Sequence, residues 1–273
     1  MRARRGARGS TGATGATLVA VPLVAVALAA GCTDLPSAAD EPFSIEFERL
    51  PFPAVVVGDT LRDSTGRAAP LAATAYNIDG TPLPPTAVTY VVSGRAVVLL
   101  PGNFVRGDTL DAETRVSALA GSLPSLSRTL RVVRRPDSLA GPTTAPGALT
   151  YGVPPSPTSD RSEALAVRVL ATPTGGTATG VPSWVVRYRL VVRGDTLAVG
   201  DTSLVWLADD AGRPAPLDTT DGTGEASRRV RINGLNPAVD GLDSVVVSVT
   251  AQGTTAPLRG APVRLALPVR LRQ

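Results

Sequence analysis

Apolar and polar residues alternate with a period of two through two long segments of this chain. Trp184, Val186, Tyr188, Leu190 and Val192 fall on one face of such a run, with Arg187 and Arg189 on the other. Val245, Val247 and Val249 alternate with Val246, Ser248 and Thr250. Val263, Leu265, Leu267, Val269 and Leu271 alternate with Arg264, Ala266, Pro268, Arg270 and Arg272. Shorter runs carry Val88 and Tyr90, then Leu130 and Val132. Side chains on a strand point alternately to its two faces, so each run predicts a strand with one side in a core. Past the N-terminal region no stretch keeps a long 3.6-residue period free of Gly or Pro. Turn clusters such as Ile78-Asp79-Gly80 and Asp209-Asp210-Ala211-Gly212 separate the runs. The pattern predicts an all-β fold.

Two breaks divide the pattern. Residues 136–160 are rich in Pro, Ser and Thr with little apolar periodicity, and read as a Pro-rich linker. The segments on either side, 44–135 and 161–273, are each close to the roughly 100 residues of a β-sandwich. The other break is at the N-terminus. Arg2, Arg4, Arg5 and Arg8 precede an apolar run from Leu18 to Ala30, and small residues lead into Cys32, the layout of a secretory signal. That run is shorter than the ~20 residues needed to span a bilayer, and Pro22 interrupts it.

Leu28-Ala29-Ala30-Gly31-Cys32 resembles a bacterial lipobox. The resemblance implies that residues 1–31 are a lipoprotein signal peptide and that Cys32 carries a diacylglycerol thioether as the mature N-terminus. Residues 32–43 then read as the lipidated N-terminus and a tether. Thr33, where an inner-membrane retention signal has Asp, points to the outer membrane of a Gram-negative envelope.

Charge changes the picture once the signal is removed. The whole chain has 27 basic and 23 acidic residues, and every basic residue is Arg. The first 31 residues hold four Arg and no acid, so 23 Arg face 23 acids in the remainder. A balanced chain gives no support to nucleic-acid binding. Composition also excludes most catalysis: without His or Lys, and with one Cys, there is no Ser-His-Asp triad, no Lys Schiff base and no His or Cys zinc site. Cys32 is the only thiol, so no disulfide can staple either sandwich.

Further motifs carry a family resemblance. Gly58-Asp59-Thr60-Leu61, the run Ala73 to Leu83, Val88-Thr89-Tyr90 and the closing Leu130-Arg131-Val132-Val133 resemble a group 2 bacterial Ig-like domain. The first segment departs from that pattern in having Tyr90 where Trp is usual and a long stretch between Val97 and Val116. The second segment resembles the invasin and intimin type in Asp209 to Arg213, Asp218 to Ala226 and Val245 to Ala251. The resemblance implies tandem Ig-like β-sandwiches, a spacer or adhesive role at a bacterial surface, and no shared catalytic residues or cofactor.

Three motifs bear on chemistry. Asp209, Asp210, Asp218 and Asp221 crowd two neighbouring turns and are candidate calcium ligands, although their spacing is not that of an EF-hand and Asp is an ordinary turn residue. Trp206 is the candidate ring for a sugar platform. Val-Arg-Gly-Asp-Thr-Leu occurs at 105–110 and at 192–197, and contains the Arg-Gly-Asp triplet that integrins read. Gly-Asp recurs without Arg at Gly58-Asp59 and Gly200-Asp201, so the expectation is a turn, with Gly194-Asp195 as the centre of a type II′ hairpin. The sequence therefore reads as a lipid-anchored, non-enzymatic surface, adhesion or assembly module. Its partners would be the membrane, through Cys32, and an envelope protein; the alternative reading is a polysaccharide-binding module.

Overall fold

A computed structural model describes residues 41–152, 154–156, 160–239 and 241–272. The first nine strands are β1 (Ser44–Glu46), β2 (Ala54–Val56), β3 (Thr74–Tyr76), β4 (Val88–Val92), β5 (Val97–Leu100), β6 (Phe104–Gly107), β7 (Glu113–Ala120), β8 (Leu123–Pro124) and β9 (Arg128–Val133). One sheet has the order β2-β9-β7-β4, with β8 on β7. Opposite it lie the pair β1-β3 and the hairpin β5-β6. That hairpin fills the long stretch after Val97 and turns through Pro101-Gly102-Asn103, where Gly102 and Asn103 both have positive φ.

Eleven strands follow: β10 (Ser138–Ala140), β11 (Leu149–Tyr151), β12 (Leu165–Ala171), β13 (Thr179–Gly180), β14 (Val185–Val192), β15 (Asp195–Thr196), β16 (Val205–Ala208), β17 (Leu217–Thr219), β18 (Glu225–Ile232), β19 (Ser244–Ala251) and β20 (Val263–Leu271). They form one sheet in the order β10-β12-β18-β16 and another in the order β11-β20-β19-β14-β15, with β17 also on β14. In Ig lettering these are A-B-E-D and A′-G-F-C-C′, with the first strand shared between sheets. Both halves of the chain are Ig-like β-sandwiches.

In each sandwich the first strand splits. β1 pairs antiparallel with β3, the chain crosses over, and β2 pairs in parallel with the last strand, β9. β10 and β11 repeat this against β12 and β20. The crossings are residues 47–53, with Pro51 and Pro53, and 141–148, with Pro142 and Pro146. Proline has no N–H to give a ladder, so it ends one pairing and lets the chain change sheets.

This corrects the expected linker. Of residues 136–160, 138–140 and 149–151 are not a free connector; they are β10 and β11 of the second sandwich, and Leu149 and Tyr151 are buried. Only residues 134–137 separate β9 from β10. They are tied down as well: Asp137 N–H donates to Leu170 O at 2.9 Å, and Asp137 O accepts from Arg259 N–H at 3.2 Å.

The alternating runs face inward as their pattern predicts. Trp184, Val186, Tyr188, Leu190 and Val192 are buried, as are Val245, Val247 and Val249. Tyr188 crosses between sheets to donate its hydroxyl to Ala226 O on β18 at 2.8 Å, and burial pushes its phenol far up, so it stays a neutral donor. The pattern weakens along β20, where Val263 and Val269 are half-buried and Leu271 is exposed.

Trp184, buried with the core, also reaches the first sandwich. Its ring stands edge-on to Phe52, which lies in the first sandwich's crossing, with centroids 4.8 Å apart and planes at 61°. Its indole N–H donates to Gln252 O at 2.9 Å. Aromatic pairs of this geometry contribute ~0.5–1.5 kcal/mol beyond area burial.

The fate of Leu149 tests the corrected boundary. Leu149→Ala should destabilise the second sandwich by about 2–5 kcal/mol, measured by denaturant unfolding, because it empties a fully buried site. In a free linker the same change would leave the unfolding midpoint where it was.

Candidate functional site

Cys32 lies outside the described residues, as does the tether up to residue 40. The other residues singled out in the sequence lie on the two sandwiches.

The four aspartates do not share a site. Asp209 closes its own turn: Oδ1 accepts Arg213 N–H at 2.8 Å, and Oδ2 accepts the Arg213 guanidinium at 2.9 Å. The Arg213 backbone N–H is the main reason its carboxyl is held below the usual carboxylate range. Asp210 projects into solvent, 4.0 Å from Arg229. Asp218 on β17 pairs with Arg228 at 2.9 Å and accepts Ser227 N–H at 2.7 Å. Asp221 accepts the Thr223 N–H and hydroxyl, each at 2.8 Å, and Glu225 N–H at 3.0 Å; the Thr223 hydroxyl leads in lowering its pKa. Asp209 and Asp221 are occupied by donors of their own turns and Asp218 by donors of β18, and no group of three His, Cys, Asp or Glu converges among the described residues.

The two Val-Arg-Gly-Asp-Thr-Leu copies adopt different conformations. In the second, Val192 pairs with Asp195, so the two central residues are Arg193 and Gly194. Both have positive φ, 52° and 94°, which is the type I′ arrangement. The expected type II′ turn at Gly194-Asp195 is therefore one residue out of register. The right-handed twist of two flanking strands favours I′, and Arg193 takes the left-handed position while its guanidinium donates to Ala238 O and Gly241 O. In the first copy Arg106 and Gly107 are the last residues of β6, and Arg106 pairs with Val98. Gly107 is needed for closeness: a Cβ there would sit 2.7 Å from Val56 O and 3.1 Å from Val132 Cγ1. One hexapeptide thus meets two separate demands for glycine.

Trp206 sits on β16 opposite Arg231, half-buried. It borders a hollow of about 40 Å³ with Tyr188 and Pro214, which is too small for a sugar ring.

A charged face went unrecognised in the sequence because it needs the strand register. Along the outer side of the sheet, Arg189 on β14 is level with Ser248 on β19 and Arg264 on β20. Arg187 is level with Thr250, and Arg270 with Thr150 on β11. The period-two runs already put these arginines opposite the core. What the sequence lacked was the order β11-β20-β19-β14, which sets the runs side by side. Arg187 and Arg189 also line a cleft of about 300 Å³ at the junction, together with Thr250, Gln252 and, from the first sandwich, Phe52 and Ser64.

No protein-family model and no curated protein matches this chain. Among solved structures, the chain is similar to domains 4 and 5 of the S-layer protein SbsC, at 11% identity over 85% of this chain and 100% of that one, with a TM-score of 0.28. It is also similar to the Yersinia pseudotuberculosis adhesin InvE, at 15% identity over 80% of this chain and 56% of that one, with a TM-score of 0.31. The fold assignment rests on the strand order and not on these likenesses.

Two outcomes follow from this geometry. Gly107→Ala should cost more stability than Gly194→Ala, with the latter near 1 kcal/mol in denaturant unfolding, because a buried carbonyl blocks the first Cβ and only positive φ opposes the second. Calcium chelation should leave the melting temperature unchanged, while Asp218→Ala should lower stability by about 1–3 kcal/mol with or without calcium, through the loss of Arg228's partner.

Proposed function

We propose that this chain is a non-catalytic module of the bacterial cell envelope, anchored through lipid on Cys32, in which two Ig-like sandwiches act as one braced body. The observation that carries this reading is the junction: residues 134–137 are the whole connection between the sandwiches, and Phe52 meets Trp184 across it. Loop 63–67 adds to the brace, since Gly66 leaves only 3.2 Å between its would-be Cβ and the backbone oxygens of Gly253 and Thr254. Such a junction suits a spacer that holds a surface at a fixed distance and angle from its anchor. A flexible linker would lose both.

The chemistry of the chain agrees with that use. Asp59, Asp209, Asp218 and Asp221 are committed to turns and ion pairs, and the chain has no His or Lys for proton transfer or covalent catalysis. The finer kinship, group 2 in the first sandwich and invasin-like in the second, belongs to this proposal, as does the outer-membrane address drawn from Thr33.

Fractionation and calorimetry test the two halves of the reading. Cys32→Ala should move the protein from membranes to the soluble fraction, and mass spectrometry should find acyl chains on Cys32 of the parent; retention of the variant on membranes would overturn the anchor. Trp184→Ala should split a single calorimetric transition into two, because the sandwiches then unfold independently. A single transition in that variant would overturn the brace.

A further inference from the structure

We propose that the outer face of the β14-β19-β20 layer, with the cleft at its junction end, binds an anionic polysaccharide. The first argument is charge sorting. Residues 32–273 balance 23 Arg against 23 acids, so a locally basic surface must arise from where the charges are placed. Several arginines elsewhere are matched: Arg62 with Asp59, Arg131 with Glu113, Arg213 with Asp209, Arg228 with Asp218 and Arg272 with Asp160. Among the described residues, Arg187, Arg189, Arg264 and Arg270 have no ion pair or hydrogen-bond partner, and no Asp or Glu occupies an outward register position of β11, β20, β19 or β14.

Spacing and residue type narrow the ligand. Arg187 and Arg189 are two residues apart on one strand, about 7 Å, and Arg264 is two strands from Arg189, about 10 Å. Ser248 stands between Arg189 and Arg264, and Thr250 lies beside Arg187. A guanidinium presents a planar fork that grips a carboxylate or sulfate through two parallel hydrogen bonds, whereas a lysine would offer only a point charge. Hydroxyls between the forks, with the Gln252 amide and Ser64 in the cleft, are partners for sugar hydroxyls. No aromatic ring lies at an outward position of these strands to stack a nucleobase. The outward valines, Val185, Val191 and Val246, are half-buried and offer no wedge into a bilayer.

The site has an edge. An adjoining cleft of about 660 Å³, which shares Phe52, Ser64 and Val185 with the junction cleft, is lined by Glu46, Glu48 and Asp63 against one arginine, Arg49, so acids outnumber bases where the strip ends on the β17 side. A polyanion would therefore follow the arginines across β14, β19 and β20. This inference goes beyond the anchoring role and holds whether or not Cys32 is acylated.

Affinity electrophoresis of the purified full chain tests it, in gels containing polygalacturonate or neutral dextran. Polygalacturonate should retard the protein and dextran should not. The combination Arg187→Gln, Arg189→Gln and Arg264→Gln should weaken retardation about tenfold, because it removes three bidentate contacts. Arg95→Gln, Arg115→Gln and Arg134→Gln remove the same charge from exposed positions elsewhere and should change retardation about twofold or less. If the first triple variant melts earlier than the parent, Arg264→Gln alone, at an exposed position, should still weaken retardation while the control triple does not. Absence of retardation would overturn the proposal, as would an equal loss in both triples. Binding to phosphatidylglycerol vesicles without binding to polygalacturonate would also overturn it, and would make the face a reader of lipid headgroups.

Discussion

The parallel ladder between the second half of the first strand and the last strand governs this architecture. Three residue pairs close each sandwich: Ala54, Val55 and Val56 against Arg131, Val132 and Val133, and Leu149, Thr150 and Tyr151 against Val269, Arg270 and Leu271. To reach that ladder the chain must leave the opposite sheet, so each sandwich needs a proline-bearing crossing. The first crossing places Phe52 against Trp184, and the second removes the slack that a linker would have left. Junction and closure are one constraint: a longer connection would free the second sandwich, and without a crossing Phe52 would have no route to its partner.

Charge follows a similar economy. Turns consume carboxylates because an Asp oxygen caps the backbone N–H groups that a tight turn leaves without partners. Asp59 shows the balance: burial raises its pKa, yet hydrogen bonds from Arg62 and the Thr60 backbone, with Arg62 and Arg135 charges nearby, bring it below its ordinary value. With acids drawn into turns, the arginines of β14 and β20 are left opposite neutral neighbours, whereas Arg131 and Arg168 face Glu113 and Glu225. Residues 32–273, with 23 Arg and 23 acids, acquire a basic face without any excess of basic residues.

The sequence shows the fold class because a strand's period of two needs no tertiary knowledge, and Tyr188 or Val247 declares its face in a run of eight. Short edge strands lack that signal. Leu149-Thr150-Tyr151 has three residues among prolines, and pairing with β20 alone makes it a strand. The turn at Arg193-Gly194 was legible as a turn but not in register, since Gly serves either central position and only the cross-strand pair Val192-Asp195 decides. The arginine face was half legible: the side each residue occupies can be read along one strand, but the neighbours it acquires depend on strand order.

The closing ladders have a mechanical meaning. In a parallel pair at the two ends of a sandwich, the chain enters one strand and leaves the other at opposite ends. Tension along the chain therefore slides β2 past β9, and β11 past β20, instead of peeling them apart one bond at a time. All the hydrogen bonds of a ladder carry the load together, and the buried Val55 and Val132 would have to be dragged through packed neighbours before it yields. A body tied at one terminus and pulled through its far sandwich is loaded in shear, the direction in which these short closing ladders are strongest.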